Sequence, residues 1–483
     1  MLNTRIICKI IGSLLFIEAA VLTLCLAIAL YYHEDDTLSF ACSVATSAGL
    51  GLLFRFLGRN SDNTLSRRDA YLVVSILWVV FSLIGTLPFV ISGYLPSFTD
   101  AFFETMSGFT TTGATVIDNV DALPHGLLFW RSLTQWIGGL GIVFFTTAIL
   151  PSLVGGSVKV FAAESTGPIK TKLHPRLSTN SKWLCLVYLV ITFLCAVSLV
   201  TAGMNVFDSI NYGMTTAATG GFGTHGDYHF YTPAMQYILT FFCFIAGVNF
   251  SLLYVSASRR RLSLLLADAE CRLYFLLVAM LSACIAVTLV TQCGYDVEHA
   301  IRSALFQVVS FITSTGFLAD DPGLWPHLTW MALTLCMFTG ACSGSTSGGF
   351  KCVRVVMLLK TISNEFRQLL HPSAVLPMKI NGVNVTTSKR VTLLAFFSAY
   401  VLLAFGSMFL MMLIGVESTD AFTLSLSSLS NVGPALGQQI GPTMSWSSLP
   451  DTAKWLCSTL MLIGRLEIFS VLVVFTPHFW EER

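Results

Sequence analysis

Four stretches of this chain carry residue types suited to holding a bare cation. They are Asp100–Thr115 (DAFFETMSGFTTTGAT), Asp208–His225 (DSINYGMTTAATGGFGTH), Ser303–Phe317 (SALFQVVSFITSTGF) and Asp420–Pro434 (DAFTLSLSSLSNVGP). Each opens with an amphipathic run too short to cross a hydrocarbon layer of ~30 Å and closes in a Thr/Ser/Gly or Asn/Gly cluster. Counting thirteen residues on from the first position of each lands on Gly113, Gly221, Gly316 and Gly433. Glycine admits the backbone angles that turn peptide carbonyls inward, and a ring of such oxygens replaces the water shell of a weakly hydrated monovalent cation. One Gly/Thr/Ser cluster is ordinary turn chemistry. Four in one register, separated by 108, 95 and 117 residues, are a repeat of about one hundred residues.

The elements around these loops belong to a membrane. The 483 residues are 54% apolar and only 11% charged, with a mean hydropathy of +0.74, too little charge to coat a soluble globule. Apolar blocks at about 10–32, 38–57, 71–95, 126–153, 183–204, 231–257, 272–293, 328–359, 389–415 and 452–476 predict ten transmembrane helices. The first is read as a retained span, being longer than a signal-peptide core and followed by no small-residue cleavage site. The fold class is therefore an all-α polytopic membrane protein with four span, half-helix, loop, span units around a pseudo-fourfold axis. The predicted divisions are a two-span preface over 1–69 and repeats over 70–182, 183–271, 272–388 and 389–483.

Net charge of +1 argues against a nucleic-acid partner. Alternating the loops between the two sides places 23 of the 27 Lys and Arg on one side, with Arg131, Arg302, Lys454 and Arg465 the exceptions. The positive-inside rule then makes both termini cytoplasmic. The opposite loops hold Glu34, Asp35, Asp36, Asp118, Asp121, Asp227, Asp296, Glu298, Asp320, Asp321, Glu417 and Asp451. That rim either concentrates cations at a pore mouth or is what remains once basic residues are sorted to the other face. The 13 cysteines lie mostly in apolar runs without metal spacing, and His125, His174, His225, His327 and His371 are scattered singly. The Gly-Gly pairs at 155–156 and 348–349 do not lead into a phosphate loop.

Non-helical backbone inside a bilayer must be buried in protein or line water, so four re-entrant loops must face a shared axis. Each half-helix runs inward from the outer face and directs its partially negative C-terminal end at the membrane centre, favouring a cation there. The eighth span is interrupted by Thr339-GACSGSTSGGF, with eight Gly, Ser or Thr among the ten residues from 339 to 348. Gly340, Gly344 and Gly348 have the spacing of close helix packing, yet the polar density favours an unwound intramembrane gate made of Gly340, Gly344, Ser345, Thr346, Ser347, Gly348 and Gly349. Lys351 and Arg354 follow it, placed to contact a partner. Arg465 falls mid-span and must face the interior. It either lies beside a permeation path or forms an ion pair with Glu467 or Glu18, although residues 465 and 467 project to different helix faces.

These loops, together with the string Arg131-SLTQWIGGLGIVFF, resemble the TrkH/Ktr/HKT superfamily of potassium transporters, and the two-span preface is similar to its TrkH branch. The resemblance covers essentially the whole chain. It implies potassium uptake, with K+ as the transported ion and no organic cofactor, through a single-chain pseudo-tetrameric pore in a bacterial inner membrane. It further implies a homodimer and a cytosolic TrkA-type ring that binds nucleotides. The filter it implies is Thr111, Thr112 and Gly113; Thr219, Gly220 and Gly221; Ser314, Thr315 and Gly316; Asn431, Val432 and Gly433, with Gly220 an alternative to Gly221 in the second loop. The fourth loop departs most, with Asn431-Val432 and Pro434 around its glycine. One aligned glycine per loop, where tetrameric channels use TVGYG, predicts fewer ion layers and weaker discrimination against sodium. Arg465 matches an arginine of the family's last helix, and Gly138, Gly139 and Gly141 serve close packing.

Two other classes compete. A secondary transporter coupling K+ or another monovalent cation to sodium or protons is expected to show inverted halves and midplane carboxylates, and only Glu18 and Glu467 fall within the predicted spans. An intramembrane enzyme needs a catalytic constellation at membrane depth, and no convincing one is found.

Overall fold

The computed structural model describes residues 2–61, 66–144, 177–374 and 376–481. Lys159, Lys170, Lys172, Arg176, His174, Arg483, the Gly155–Gly156 pair and the end of the 126–153 block lie outside the described residues. Among the described residues the chain is overwhelmingly helical, with one two-stranded hairpin, Lys379–Ile380 and Val383–Asn384. Six helices are long and apolar enough to cross a membrane, and eight when two bent pairs are each counted as one span.

The preface is a helical hairpin of Thr4–Tyr32 and Thr37–Leu57. Lipid supplies no hydrophobic drive between helices, so contact depends on small residues that admit close backbones. A β-carbon on Gly12 would meet the Arg55 nitrogen and the Gly51 oxygen at 2.7 and 2.8 Å. Ser47 Oγ donates across the seam to Leu15 O at 2.9 Å.

Each repeat places a half-helix after its first long helix: Phe98–Phe109, Val206–Ala218, Val297–Ile312 and Ser418–Ser430. Ser97, Asn205 and Asp296 cap the first three by accepting from first-turn amides. Asp100, Asp208, Glu298 and Asp420 stand in the first turns, where a carboxylate complements the helix dipole. The third half-helix begins six residues before Ser303, so the shared register covers only the inner part of that element.

All four end identically. Thr111, Thr219, Ser314 and Asn431 take φ of 52°, 52°, 55° and 54°. The next amide in each loop donates to the carbonyl five residues back: Thr112 to Ser107, Gly220 to Thr215, Thr315 to Ser310 and Val432 to Ser427, at 2.8–3.0 Å. This is the Schellman stop, in which one left-handed residue lets an orphan helical carbonyl find a donor. A left-handed non-glycine residue costs about 1–2 kcal/mol, and the chain accepts that strain four times.

Three of the ten expected spans are broken among the described residues, two of them at corners that the sequence does not mark. The 231–257 block is Pro233–Ala246 and Phe250–Ser258, bent by 98°. Asn249 starts the second piece by accepting from Leu252 N at 3.1 Å, and Gly247 has no room for a side chain between Thr313 and Tyr274. The 452–476 block turns by 107° between Asp451–Arg465 and Phe469–Phe475, with Glu467 left-handed at φ 59°. Both halves of each block are apolar, so composition alone hides the corner. The returning segment of the third repeat is broken at the Gly/Ser stretch into His327–Thr339 and Cys352–Leu370, as its polarity predicts.

Replacing Gly12 with Leu is expected to overpack the preface seam and destabilise the protein by about 1–3 kcal/mol. The measurement is the midpoint of thermal aggregation in detergent, and an unchanged midpoint would show that the seam tolerates a large side chain.

Candidate functional site

The four loops meet. A β-carbon on Gly113 would collide with the carbonyl oxygen of Gly220, one on Gly221 with that of Thr315, one on Gly316 with that of Val432, and one on Gly433 with that of Thr112. Each glycine is thus pressed against the residue preceding the glycine of the next loop, and the order closes on itself after four steps. The glycines take φ of 85°, 82°, 81° and 102°, a region open to glycine. This settles the register of the second loop: Gly221 is the counterpart of Gly113, Gly316 and Gly433, while Gly220 occupies the position of Thr112, Thr315 and Val432. All four glycines line one outward-opening cavity of about 420 Å³.

The loops are braced from outside the ring. Gln135, fully buried, donates from Nε2 to Gly220 O at 2.7 Å and accepts from Phe222 N at 3.0 Å. A β-carbon at Gly220 would collide with this amide, which accounts for the second glycine there. Arg131 Nε pairs with Glu104 Oε1 at 2.9 Å and its Nη1 donates to Gly223 O at 3.1 Å. Glu104 in turn accepts from Thr115 Oγ1 and Val116 N, each at 3.0 Å. This buried pair ties the first loop to the second. Three of the four basic residues outside the positive-inside pattern have carboxylate partners, the other two being Arg302 with Glu298 and Lys454 with Asp100. At the cavity mouth the Ser445 and Ser447 hydroxyls hold the Asp118 carboxyl below the usual carboxylate range, keeping it ionised. Burial alone would lower His225, but its ring's hydrogen bonds to the Asp208 and Asp121 carboxylates outweigh that and raise it above its ordinary value.

Beneath the ring lies the non-helical stretch 340–351. Thr346 Oγ1 donates to Ala217 O at 3.0 Å, at the end of the second half-helix, and Gly348 N donates to Ser314 Oγ at 2.6 Å. A β-carbon on Gly348 would collide with Ser430 O of the fourth. Arg465 donates from Nη1 to Thr346 O at 2.7 Å and from Nη2 to Gly138 O at 3.4 Å. Gly138 itself is packed against Phe109 O, at the end of the first half-helix, and Gly139 against Ala218, whereas Gly141 has ordinary clearance. The stretch therefore reaches all four loops, three directly and one through Arg465 and Gly138.

Of the expectations about charge, the poor fit of Glu467 to Arg465 stands and the placing of Arg354 needs correction. Glu467 is paired with Arg354 Nη2 and lies 4.0 Å from Lys351 Nζ, so its direct ion pairs are with these two and Arg465 feels it only at longer range. Arg354 is buried, with its guanidinium 3.9 Å over the Phe396 ring, and is not presented to a partner molecule. The reason is economy of burial, since the carboxylate of Glu467 needs a cation that can reach it. Sequence reasoning missed Gln135, Glu104 and Glu270. Glu270 is buried and accepts from Ser343 N, Ser343 Oγ and Val353 N. Its position just ahead of an apolar block was a weak signal, whereas Gln135 stood inside the quoted Arg131 string. Among the described residues no cluster of three or more His, Cys, Asp or Glu is arranged to hold a metal ion.

The arrangement is four loops packed in a closed order, glycine against carbonyl, with a cavity lined in part by Asp118 and Asp227 on one side and the polar non-helical stretch on the other. The family model for cation transport proteins of the TrkH type matches residues 39–482. The chain is 38% identical to the Trk system potassium uptake protein TrkH of Halomonas elongata, with all of both chains covered. It is 35% identical to the protein of the same name from Escherichia coli K12, again over all of both. The crystal structure of the potassium transporter TrkH from Vibrio parahaemolyticus aligns with a TM-score of 0.90 at 33% identity, covering 99% of each chain. This multi-pass membrane protein belongs to the TrkH family of cation transport proteins, a family of transporters and not of enzymes.

Proposed function

We propose that the chain is a potassium-uptake pore. The carrying observation is the closed order of the four loops, each glycine against the carbonyl preceding the next. Potassium is favoured as the ion because the full-length relatives are named for its uptake. In this reading Thr111, Thr112, Gly113, Thr219, Gly220, Gly221, Ser314, Thr315, Gly316, Asn431, Val432 and Gly433 form the filter, within four repeats at 70–182, 183–271, 272–388 and 389–483 behind the 1–69 preface. Ten membrane passages, the corners at 247–249 and 466–468 included, carry them around a pseudo-fourfold axis. Residues 340–349 are the gate and Arg465 is the fixed charge that holds it. The membrane is a bacterial inner membrane with both termini cytoplasmic, and the chain works as a homodimer regulated by a cytosolic TrkA-type nucleotide-binding ring.

The physical steps follow from the geometry. The acidic rim raises cation concentration at the mouth. A cation entering the ring exchanges water for peptide oxygens, and the C-terminal ends of four half-helices add a negative potential. A single ring of glycines leaves few ordered layers, so selection against sodium is weaker than in a TVGYG channel. Below, the plug blocks the path for as long as Arg465 and the half-helix ends hold it.

Replacing Gly113 or Gly316 with Ser drives a β-carbon into the next loop's carbonyl. Potassium uptake in a potassium-auxotrophic host is expected to fall about tenfold or more, the factor that ~1.4 kcal/mol of lost stabilisation produces, or sodium permeability to rise. Wild-type selectivity and rate in both variants would remove the filter assignment.

Deleting residues 340–348 is expected to leave a pore that conducts without its regulatory partner. The check is rubidium flux into proteoliposomes containing this chain alone, and flux no higher than that of the intact protein refutes the gate.

A further inference from the structure

Glu270 is used by neither the ring nor its bracing, yet a buried carboxylate demands partners. It finds them at opposite ends of the intramembrane stretch. Oε1 accepts from Ser343 N, near the beginning, and from Val353 N at 3.1 Å, just past the end, while Oε2 accepts from Ser343 Oγ at 2.9 Å. Other side-chain ties hold the stretch at single points, among them Asn249 at Ser343 O, Ser314 at Gly348 N, Arg465 at Thr346 O, and from the helix that follows it Cys352 at Gly340 O and Arg354 at Phe350 O. One side chain, on a different helix, therefore pins both ends of the same loop.

The turn carrying Glu270 is itself anchored to a surface feature. Asp268 Oδ1 accepts from Glu270 N at 2.8 Å and from Cys271 N at 3.0 Å. Its other oxygen accepts from Asn381 Nδ2 at 2.8 Å, and Asn381 Oδ1 accepts from Ala269 N at 2.9 Å. Asn381 and Gly382 form the two-residue turn of the Lys379–Asn384 hairpin, with φ of 50° and 77°, the pairing such a turn prefers. The buried side of that hairpin, through Met378, Ile380 and Val385, packs on Val356 of the helix leaving the loop. The hairpin thus holds both the turn that carries Glu270 and the helix that leaves the loop, and the loop alternation read from the sequence puts it on the basic face.

We propose that Glu270 is the positioning residue that latches the intramembrane loop beneath the ring, and that the Asn381–Gly382 hairpin is the handle by which a regulator on the basic face releases it. The proposal rests on the gate reading above. A glutamine at 270 keeps an oxygen for both backbone donors and offers an N–H to Ser343 Oγ, so bond geometry, not charge, is what the latch requires. A leucine keeps the bulk and loses all three bonds.

The test is rubidium flux into proteoliposomes reconstituted with the full chain alone, in five versions: wild type, the 340–348 deletion, Glu270→Leu, Glu270→Gln and Asn381→Ala. Glu270→Leu is expected to raise flux on the order of tenfold, as a two-state equilibrium shifts when its closed form loses several hydrogen bonds, and Glu270→Gln to restore the low wild-type flux. Misfolding cannot mimic this result, because it lowers flux. Asn381→Ala, a partly exposed substitution, is expected to raise flux about threefold and supplies the reading if Glu270→Leu is not recovered folded. If the deletion frees flux but neither Glu270→Leu nor Asn381→Ala does, the latch is overturned and the gate stands. If the deletion itself changes nothing, the gate reading fails and the latch falls with it.

Discussion

A peptide chain that leaves its helix inside hydrocarbon must give every freed amide and carbonyl a partner, and the rest of this molecule is organised around that demand. The four half-helices answer it locally with one device, a left-handed residue followed by an amide folded back five positions. The device turns the chain outward again and leaves the succeeding peptide groups without helical partners. They are enclosed by the next loop's glycine sitting against them, with side chains such as Gln135 and Ser427 taking up individual groups. No loop can be closed by itself, since its neighbour supplies the wall, and the last neighbour of the fourth loop is the first. A single chain carrying all four copies is therefore a structural unit whose repeats cannot be trimmed one at a time.

Buried charge is distributed with respect to this ring. Above it, Arg131 and Glu104 satisfy each other and take up the loop groups beside them. Below it, Glu467 is matched by Arg354 and Lys351. Arg465 differs, for its contacts are carbonyl oxygens of the plug and of Gly138. The partially negative ends of four half-helices lie nearby, and they supply the potential that a carboxylate would otherwise provide. In the proposed pore a guanidinium so placed uses the same field that attracts a permeating cation, which makes plug retention and ion occupancy competing uses of one electrostatic resource.

The loop register was legible because a step of thirteen positions from a first-turn acid to a glycine is a helix-length constraint, and Asp100, Asp208 and Asp420 each stand third in their helices. The break at 340–351 was legible because eight small polar residues in ten cannot be mistaken for a lipid-facing helix. The corners at 247–249 and 466–468 were not, since each lies inside a long, mainly apolar block whose one or two polar residues, Asn249 and the Arg465 and Glu467 pair, did not mark a turn. The polar partners of buried charges were the least legible. Glu270 meets Ser343 and Val353 across more than seventy residues, and Arg354 meets Glu467 across 113. Sequence separation of that size carries no spacing signal, and only the fold brings those atoms together.

The ring is less symmetric than its glycines suggest, and the differences follow a rule. Loops one and three are alike: Thr110 and Thr112 share a hydroxyl hydrogen bond of 2.8 Å, as do Thr313 and Thr315. Loops two and four lack that pair. In loop two the position of the second threonine is Gly220, whose carbonyl is held by Gln135. In loop four it is Val432, and the brace comes from Asn431, which donates to Thr112 Oγ1 at 3.0 Å and to Met461 O at 2.9 Å. Opposite loops thus carry their own bracing or borrow it in alternation, a twofold pattern laid over a fourfold backbone. The carbonyl of Gly220 spends part of its acceptor capacity on an amide, whereas the hydroxyl pairs of loops one and three leave the Thr112 and Thr315 carbonyls out of their bracing. In the proposed pore a cation would meet unequal oxygens, since the Gly220 carbonyl is shared with the Gln135 amide.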